Sequence, residues 1–354
     1  MANDLPRSHL FYIIENRITN DKYSGLSHVA EHALLEVPTD SGKSFRAKGY
    51  TCINHVFLSF SSPDLTVLQE IDNHIMSGQV ITDEIVSIAK EQVMWEIANT
   101  RNKTAISMQI QSFVTDGRIV NHAVGETDQV KKIQTSDVQD WFKQRVQSGQ
   151  IYHYLFNNRD EIIDATQYIP RALFFPKLES PKQDNKTFKT LYLVSPRQVK
   201  MIRMYFRIPV LSSKLDVMGK GITEYCIQRK ISSVLGLDFD IFDSFFDKNE
   251  RYVLIEFALD KSKQLYGIIN AILSEMDKIS SEDFTLYRSE FAEWLNQLLP
   301  YDESAYQTIN AIKNEIVYAY PRIERDDLCV IEQIDYDSFL RGKKMYEPVK
   351  IVFL

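Results

Sequence analysis

An internal repeat most constrains how this chain can fold. Residues 9–98 contain patterns for a strand (9–15), a helix (25–36), a second strand (55–60) and two amphipathic helices (65–76 and 83–98). The same order returns at 199–209, 221–234, 252–259, 261–276 and 281–298. Matching residues accompany it, namely Gly25 with Gly221, Phe60 with Phe257, Leu68 with Leu265, Ile71 with Ile268, and Trp95 with Trp294. The repeat therefore predicts two homologous domains.

The segment 170–187 lies between the copies and is rich in proline, lysine and asparagine, which is typical of a surface linker. We therefore place an N-terminal domain at 1–169 and a C-terminal domain at 188–354. Strands mixed with helix pairs predict an α+β fold. Each domain is expected to form a mostly antiparallel sheet covered by helices on one face.

Composition narrows the class of protein. With 44% hydrophobic and 25% charged residues, the chain has the balance of a soluble globular protein that needs no metal or disulfide for stability. Any bound metal is therefore expected to be catalytic. A net charge of −7 without a basic cluster argues against nucleic acid and anionic membranes as partners.

Targeting signals and cysteines indicate the compartment. The first residues lack a signal-peptide pattern, and no apolar run approaches the length of a membrane span. Cys52, Cys226 and Cys329 are widely spaced and offer no disulfide framework. We therefore expect a cytoplasmic protein.

The first predicted helix carries the chemistry. His28, Glu31 and His32 stand at positions i, i+3 and i+4, so their side chains share one face. Two imidazoles one turn apart can hold one Zn²⁺, while the glutamate can take a proton from water whose pKa the metal lowers to about 7. The alternative is a surface helix with two histidines by chance. We favour the metal, because the flanking residues are largely apolar and burying this cluster without an ion would be costly.

The repeat also indicates a third metal ligand. Aligning 83–98 with 282–297 places Glu91 opposite Glu290 but Glu96 opposite Leu295. Glu96 lies on the same face of the predicted helix as the apolar residues Ile85, Ala89 and Val93, so its carboxylate is expected to point inward. Glu91 is expected to be structural or to face solvent. In the second copy, Glu224, Ile227 and Gln228 occupy the positions of His28, Glu31 and His32. We therefore predict that only the first copy binds zinc, through His28, His32 and Glu96.

These residues resemble the pitrilysin family of inverted-motif zinc peptidases, which includes the processing peptidases of mitochondria. Residues 25–32 (GLSHVAEH) are similar to its metal-binding helix, Glu96-Ile97 to the segment with the third ligand, and 125–142 to a downstream glycine-to-aromatic segment. The resemblance implies a short subunit of the processing-peptidase kind with Glu31 as the catalytic base. It also implies a peptide substrate that pairs with a sheet edge at Tyr50, Thr51, Cys52, Ile53 and Asn54.

The chain departs from the family pattern in three ways. The interval from His32 to Glu96 is shorter than usual, and Ala89 stands where many members have a second glutamate. A substrate-binding tyrosine and arginine of the C-terminal half are replaced by Phe239 and Ser232, and phenylalanine cannot donate a hydrogen bond. We therefore expect a zinc-less homologous partner in a heterodimer, or else a homodimer.

Three functions stay open at this point. The first is a zinc endopeptidase enclosing short peptides in a clamshell, for example to remove the leader of a modified peptide product. The second is a catalytically silent peptide-binding or assembly subunit, and the third a metal or peptide carrier that does not hydrolyse its cargo. Retention of Glu31 favours the first, because a silent subunit does not need a base.

Overall fold

The computed structural model describes residues 6–17, 21–38, 44–117, 123–166, 188–195, 198–211, 213–245, 251–259, 265–299, 304–346, 348 and 350–354. The predicted linker, 170–187, lies outside the described residues, and so does the beginning of the helix predicted at 261–276. In the described part, no helix is long and apolar enough to cross a membrane. All three cysteines are unpaired.

The first half of the chain begins with a strand and a short helix and continues through a hairpin into a run of helices. Its elements are β1 (Ser8–Glu15), α1 (Leu26–Leu35), β2 (Arg46–Thr51), β3 (His55–Ser62), α2 (Leu65–Ser77), α3 (Asp83–Val114), α4 (Thr127–Val130), α5 (Thr135–Gln147), β4 (Ile151–Phe156) and β5 (Ile162–Ala165).

The five strands form one antiparallel sheet in the order β2-β3-β1-β4-β5, so β2 and β5 are its edges. Leu10, Tyr12 and Ile14 of β1 point to one face and pack in a core with apolar residues of α1, α2, α3 and α5. This alternation follows from the period of two along a strand. Phe11 and Ile13 point to the other face of the sheet and are buried as well, which is why the run 10–14 is apolar without a break.

The second half repeats the plan. Its elements are β6 (Lys189–Tyr192), β7 (Met201–Ile208), α6 (Lys214–Leu235), β8 (Phe239–Phe245), β9 (Arg251–Ala258), α7 (Leu265–Asp277), α8 (Ser281–Leu298), α9 (Ala305–Tyr318), a 3₁₀ segment (Arg325–Gln333), α10 (Tyr336–Lys343), a 3₁₀ turn (Lys344–Tyr346) and β10 (Lys350–Phe353).

The second sheet has the order β6-β10-β7-β9-β8, and only its β6-β10 pair is parallel. Four of its strands, β8-β9-β7-β10, match β2-β3-β1-β4 of the first sheet in order and in their place relative to the helices. The predicted α+β fold with two mostly antiparallel, helix-covered sheets is therefore confirmed.

By its internal contacts the chain divides into two compact units, Met1–Arg171 with Glu303–Val317 and Ala172–Asp302 with Tyr318–Leu354. Most of α9 thus belongs to the first unit. There, Tyr306 contacts Phe11 and His9 with ring centroids 5.1 Å apart, and its hydroxyl lies 3.2 Å from that of Ser59. These residues lie on the sheet face opposite α1. A helix therefore packs on the sheet face for which the sequence predicted no cover. This could not be predicted, because the periodicity of a helix does not indicate which sheet it packs against.

Candidate metal centre

The helix that bears the histidines, α1, begins after a left-handed residue and is almost wholly buried. Gly25 has φ +93°, which a residue with a side chain rarely adopts. The side chain of Asp21 accepts hydrogen bonds from both the backbone N–H and the hydroxyl of Ser27. One of the N–H groups that the first turn of a helix leaves without an intrahelical partner is thereby paired. Leu26, Val29, Ala30, Ala33 and Leu34 anchor the helix in the core. The same helix therefore carries His28, Glu31 and His32 into a largely dry environment.

Both histidines are oriented through their Nδ1 atoms. Nδ1 of His28 lies 3.1 Å from the carbonyl oxygen of Val124, and Nδ1 of His32 lies 2.8 Å from Oε1 of Gln92. A carbonyl oxygen only accepts, so each Nδ1 carries the proton and each Nε2 presents a lone pair. Gln92 is itself held, since its Nε2 donates to Glu36 at 3.0 Å. This hydrogen-bonded support is typical of imidazoles that bind metal.

Glu96 of α3 faces both free nitrogens. Its Oε2 is 3.3 Å from Nε2 of His28, and its Oε1 is 3.4 Å from Nε2 of His32. These distances exceed a normal charge-assisted hydrogen bond. Ligands about 2.0–2.2 Å from a tetrahedral zinc are about 3.3–3.5 Å from one another, which is the spacing found here. Each histidine nitrogen thus lies at ligand spacing from one oxygen of Glu96, and two imidazoles with a carboxylate are donors that suit Zn²⁺. Ligand atoms of His28, Glu31 and His32 also lie within 4.8 Å of one another.

Glu31 lies beside the three predicted ligands without matching their spacing. Its Oε2 is 3.9 Å from Nε2 of His28 and accepts a hydrogen bond of 2.8 Å from the hydroxyl of Thr51. Its side chain is 4% exposed, whereas that of Glu96 is 40% exposed. Burial raises the pKa of Glu31 to about 7, and the bond from Thr51 opposes that rise. A carboxylate of this kind suits proton transfer near neutral pH.

Burial also acts on the imidazole of His28. It lowers the pKa of His28, and hydrogen bonding to the Val124 carbonyl opposes this. A neutral imidazole is the form that binds a metal ion. The ring is therefore already in its binding form at neutral pH.

Three glycines allow the segments of the site to approach one another. A Cβ on Gly49 would lie 2.6 Å from Oε1 of Glu31, so β2 can cross the carboxylate only because this residue has no side chain. A Cβ on Gly125 would lie 2.5 Å from Cα of Gly25. The close crossing of Gly25 and Gly125 places Val124 beside His28.

A cavity of about 310 Å³ opens over the cluster. Its walls include His28, Glu31, His32 and Glu96 together with residues of β2 and of the 123–124 segment, namely Leu35, Gly49, Tyr50, Thr51, Ala123 and Val124. It is therefore continuous with the sheet edge where we predict a peptide.

The predicted substrate residues divide into two groups. Tyr50 and Thr51 lie on β2 and line the cavity, whereas Cys52, Ile53 and Asn54 form the turn into β3. The N–H of Cys52 donates to the carbonyl of His55, and the carbonyl of Asn54 accepts from the N–H of Asn16. The role of all five in substrate binding stays a prediction.

The sequence did not reveal Gln92 and Val124 as parts of the site, nor the close approach of Gly49 to Glu31. Gln92 carried a usable signal, because it stands four residues before Glu96 and thus on the same face of α3. Val124 and Gly49 contribute through a backbone carbonyl and through the lack of a side chain, and neither contribution leaves a local pattern. Ala89, which stands where many members of the family have a second glutamate, is fully buried and has no polar side-chain group. The partner of His32 Nδ1 is instead Gln92.

Comparison with solved structures finds pitrilysin-type folds. The periplasmic protease PqqL from Escherichia coli superposes with a TM-score of 0.72 at 12% identity, over 98% of this chain and 45% of PqqL. A putative M16-like peptidase from Alicyclobacillus acidocaldarius gives 0.67 at 12% identity, covering 99% and 93% of the two chains. Pitrilysin gives 0.62 at 12% identity, covering 99% and 42%.

At these identities the likeness concerns the fold. No family model and no curated protein matches the sequence. The chain spans less than half the length of PqqL and pitrilysin and nearly all of the M16-like peptidase.

Proposed function

We propose that this protein is a zinc-dependent endopeptidase. The observation that carries the proposal is the convergence of His28 and His32 on the carboxylate of Glu96, with the buried carboxylate of Glu31 beside them. Zinc bound by these three ligands would supply a Lewis acid for water and for a peptide carbonyl. The fold of PqqL, which is named a protease, supports peptide hydrolysis over other zinc chemistry.

In this proposal, the residues of the chain prepare water for attack on a peptide bond. Glu31 takes the proton of the attacking water and returns it to the leaving amine. The Thr51 hydroxyl fixes one carboxylate oxygen, leaving Oε1 of Glu31 for the proton. Val124 and Gln92 keep His28 and His32 oriented toward the metal.

The substrate is a peptide bound along β2. In the described part of the sheet, β2 pairs only with β3, so its other edge offers backbone N–H and C=O groups for an added strand. A peptide there runs beside Gly49 and brings a carbonyl to the cavity over Glu31. The leader of a modified peptide product in the cytoplasm would be such a substrate.

A homologous zinc-less chain completes the enzyme as a heterodimer. Phe239 is 4% exposed within the core of the second unit, and the hydroxyl of Ser232 donates to the carbonyl of Leu237. Neither side chain is free to bind substrate, so a partner would supply those groups. Light scattering of the purified chain, alone and with candidate partners, tests this. Full activity as a monomer would contradict it.

Peptide digestion tests the proposed chemistry. The purified protein, loaded with zinc, is incubated with a mixed library of synthetic peptides, and the products are identified by mass spectrometry. We expect cleavage that a chelator abolishes and zinc restores. Glu31→Gln should retain one zinc per chain but lose turnover by about 10²–10⁴-fold.

Glu91→Gln is the matched control, since Glu91 is an exposed carboxylate on α3. Wild-type turnover by Glu31→Gln would refute the role of Glu31. The absence of any cleavage by the zinc-loaded protein, with and without a partner, would favour the silent peptide-binding subunit.

A further inference from the structure

The proposed substrate edge has two differently equipped faces. Gly49 and Thr51 of β2 point toward α1 and Glu31, and Tyr50 between them points to the opposite face, toward α9. Side chains of a strand added to β2 alternate in the same way. A peptide residue directly opposite Tyr50 therefore projects toward α9, and its neighbours project toward the metal face.

Lys313 of α9 lies on that opposite face. Its Nζ donates to the hydroxyl of Tyr50 at 3.1 Å and lies 5.7 Å and 6.0 Å from the ring centroids of Tyr50 and Phe57. The two rings are stacked with centroids 5.1 Å apart. Lys313, Tyr50 and Phe57 all belong to the first compact unit. The ammonium group is thus held at the hydroxyl end of a residue that also lines the catalytic cavity.

The ammonium has unused capacity. It can donate three hydrogen bonds, and within the described part of the chain it donates one, to Tyr50. No carboxylate among the residues that the structure describes forms an ion pair with it. Partial burial lowers the pKa of Lys313, with a smaller opposing influence from Cys52. A charge that has lost part of its hydration and has no counter-ion gains most from an anion brought by a ligand.

There is room for such a ligand beside Tyr50. A cavity of about 540 Å³ lies between β2, β3 and the preceding turns of α9. It shares Gly49 and Tyr50 with the catalytic cavity, and Lys48 places a positive charge in its wall. Lys313 lies one turn of α9 beyond the wall residues Ile309 and Asn310, at the hydroxyl of Tyr50. The side of the edge strand away from the metal is therefore apolar with a cationic border.

We propose that Lys313 binds a carboxylate of the substrate within about two residues of the scissile bond, which makes it a specificity-determining residue. The inference rests on the proposed peptidase function and deepens it. The carboxylate can belong to an Asp or Glu side chain or to the C-terminus of the peptide. Substrates with Lys or Arg at the same position are disfavoured by Lys313 and Lys48.

Substitution of both partners tests the contact. The parent is a peptide that the protein cleaves and that has an amidated C-terminus. One set of variants carries Glu, Gln or Lys at each position within three residues of the scissile bond. A further variant has a free C-terminus. The wild-type protein should prefer Glu, or the free C-terminus, by about tenfold in kcat/KM, as for one charge-assisted hydrogen bond. In Lys313→Met the preference should fall below about twofold, while the Gln peptide changes little.

Lys143→Met is the matched control. It removes the same charge from an exposed position of α5 and should keep the preference. Thermal melting establishes that each variant is folded. An undiminished preference in folded Lys313→Met, or no preference at any position in the wild type, would overturn the inference.

A binding experiment separates this inference from the peptidase proposal. Fluorescence anisotropy of labelled Glu and Gln peptides is measured on Glu31→Gln with and without Lys313→Met. Preferential binding of the Glu peptide that requires Lys313 would support the carboxylate site even if no turnover were found. Equal binding of the two peptides by Glu31→Gln would refute it even if the peptidase proposal held.

Discussion

Gly49→Ala gives a direct test of the geometry around Glu31. The added Cβ would lie 2.6 Å from Oε1 of Glu31, 3.0 Å from Cδ1 of Leu35 and 3.1 Å from Cγ of Glu31. Glu31 cannot simply swing aside, because its Oε2 is bonded to Thr51 and its side chain is 4% exposed. To reach ordinary van der Waals contact, the carboxylate must retreat by roughly 1 Å.

The substitution should affect the catalytic rate more than the stability of the fold. A displacement of about 1 Å at a reacting group costs about 10²-fold in rate, which corresponds to about 2.7 kcal/mol of activation free energy. Overpacking by one methyl destabilises by about 1–3 kcal/mol, and replacing a strand glycine recovers about 0.5–1 kcal/mol. We therefore expect a folded protein with a slightly lower melting temperature and a kcat reduced about a hundredfold.

The assay compares kcat, KM and zinc content. Because Gly49 acts on the base and not on the ligands, KM should change by less than about threefold and zinc should remain bound. Gly219→Ala in α6 is the control, since a Cβ there meets no atom within 4 Å. A wild-type kcat in Gly49→Ala would refute the placement of Glu31 under β2. A raised KM with unchanged kcat would show that the methyl acts on peptide pairing instead.

Three further variants test other contacts. Gln92→Ala removes the partner of His32 Nδ1 and should weaken zinc binding by about 10–100-fold in a chelator competition, whereas the exposed neighbour Glu91→Ala should not. Thr51→Val removes a hydrogen bond that lowers the pKa of Glu31, so the acid limb of the kcat profile should move to higher pH, while Thr51→Ser keeps it in place. Lys220→Met leaves Glu224 and Asp243 without the ammonium that lies 2.9 Å and 2.6 Å from them and should cost about 3–5 kcal/mol of unfolding free energy at pH 8. Burial already raises the pKa of Glu224 to about 7, so the folded variant binds more protons than the unfolded chain, and part of the loss should be regained in urea titrations at pH 5.

The repeat was the most informative property of the sequence. It predicted two α+β domains with mostly antiparallel sheets, and the contrast between Glu96 and Leu295 pointed to the carboxylate that faces both histidines. Helix ends were less predictable, since α3 continues to Val114, well beyond the expected residue 98. The polar residues 99–104 (NTRNKT) interrupt the apolar stripe, which returns only with Ile106, Ile110 and Val114.

The packing of distant segments could not be predicted from local patterns. Val124 meets His28 because Gly25 and Gly125 cross closely, and each glycine alone resembles any turn glycine. Lys313 lies far along the chain from Tyr50, and no periodicity connects them. The membership of α9 in the first unit has the same origin, since an amphipathic helix can cover any apolar surface of suitable shape.

This membership of α9 also bears on biosynthesis and on fragment design. The first unit is not complete when its own five strands have been synthesised, because it also contains Glu303–Val317, which follows residues 172–302 of the second unit along the chain. A fragment ending at the predicted linker would expose Phe11 and the apolar surface that Tyr306 covers, inviting aggregation. Proteolytic cleavage in that linker, by contrast, should leave two pieces that copurify, because the later piece carries a helix that folds into the earlier one.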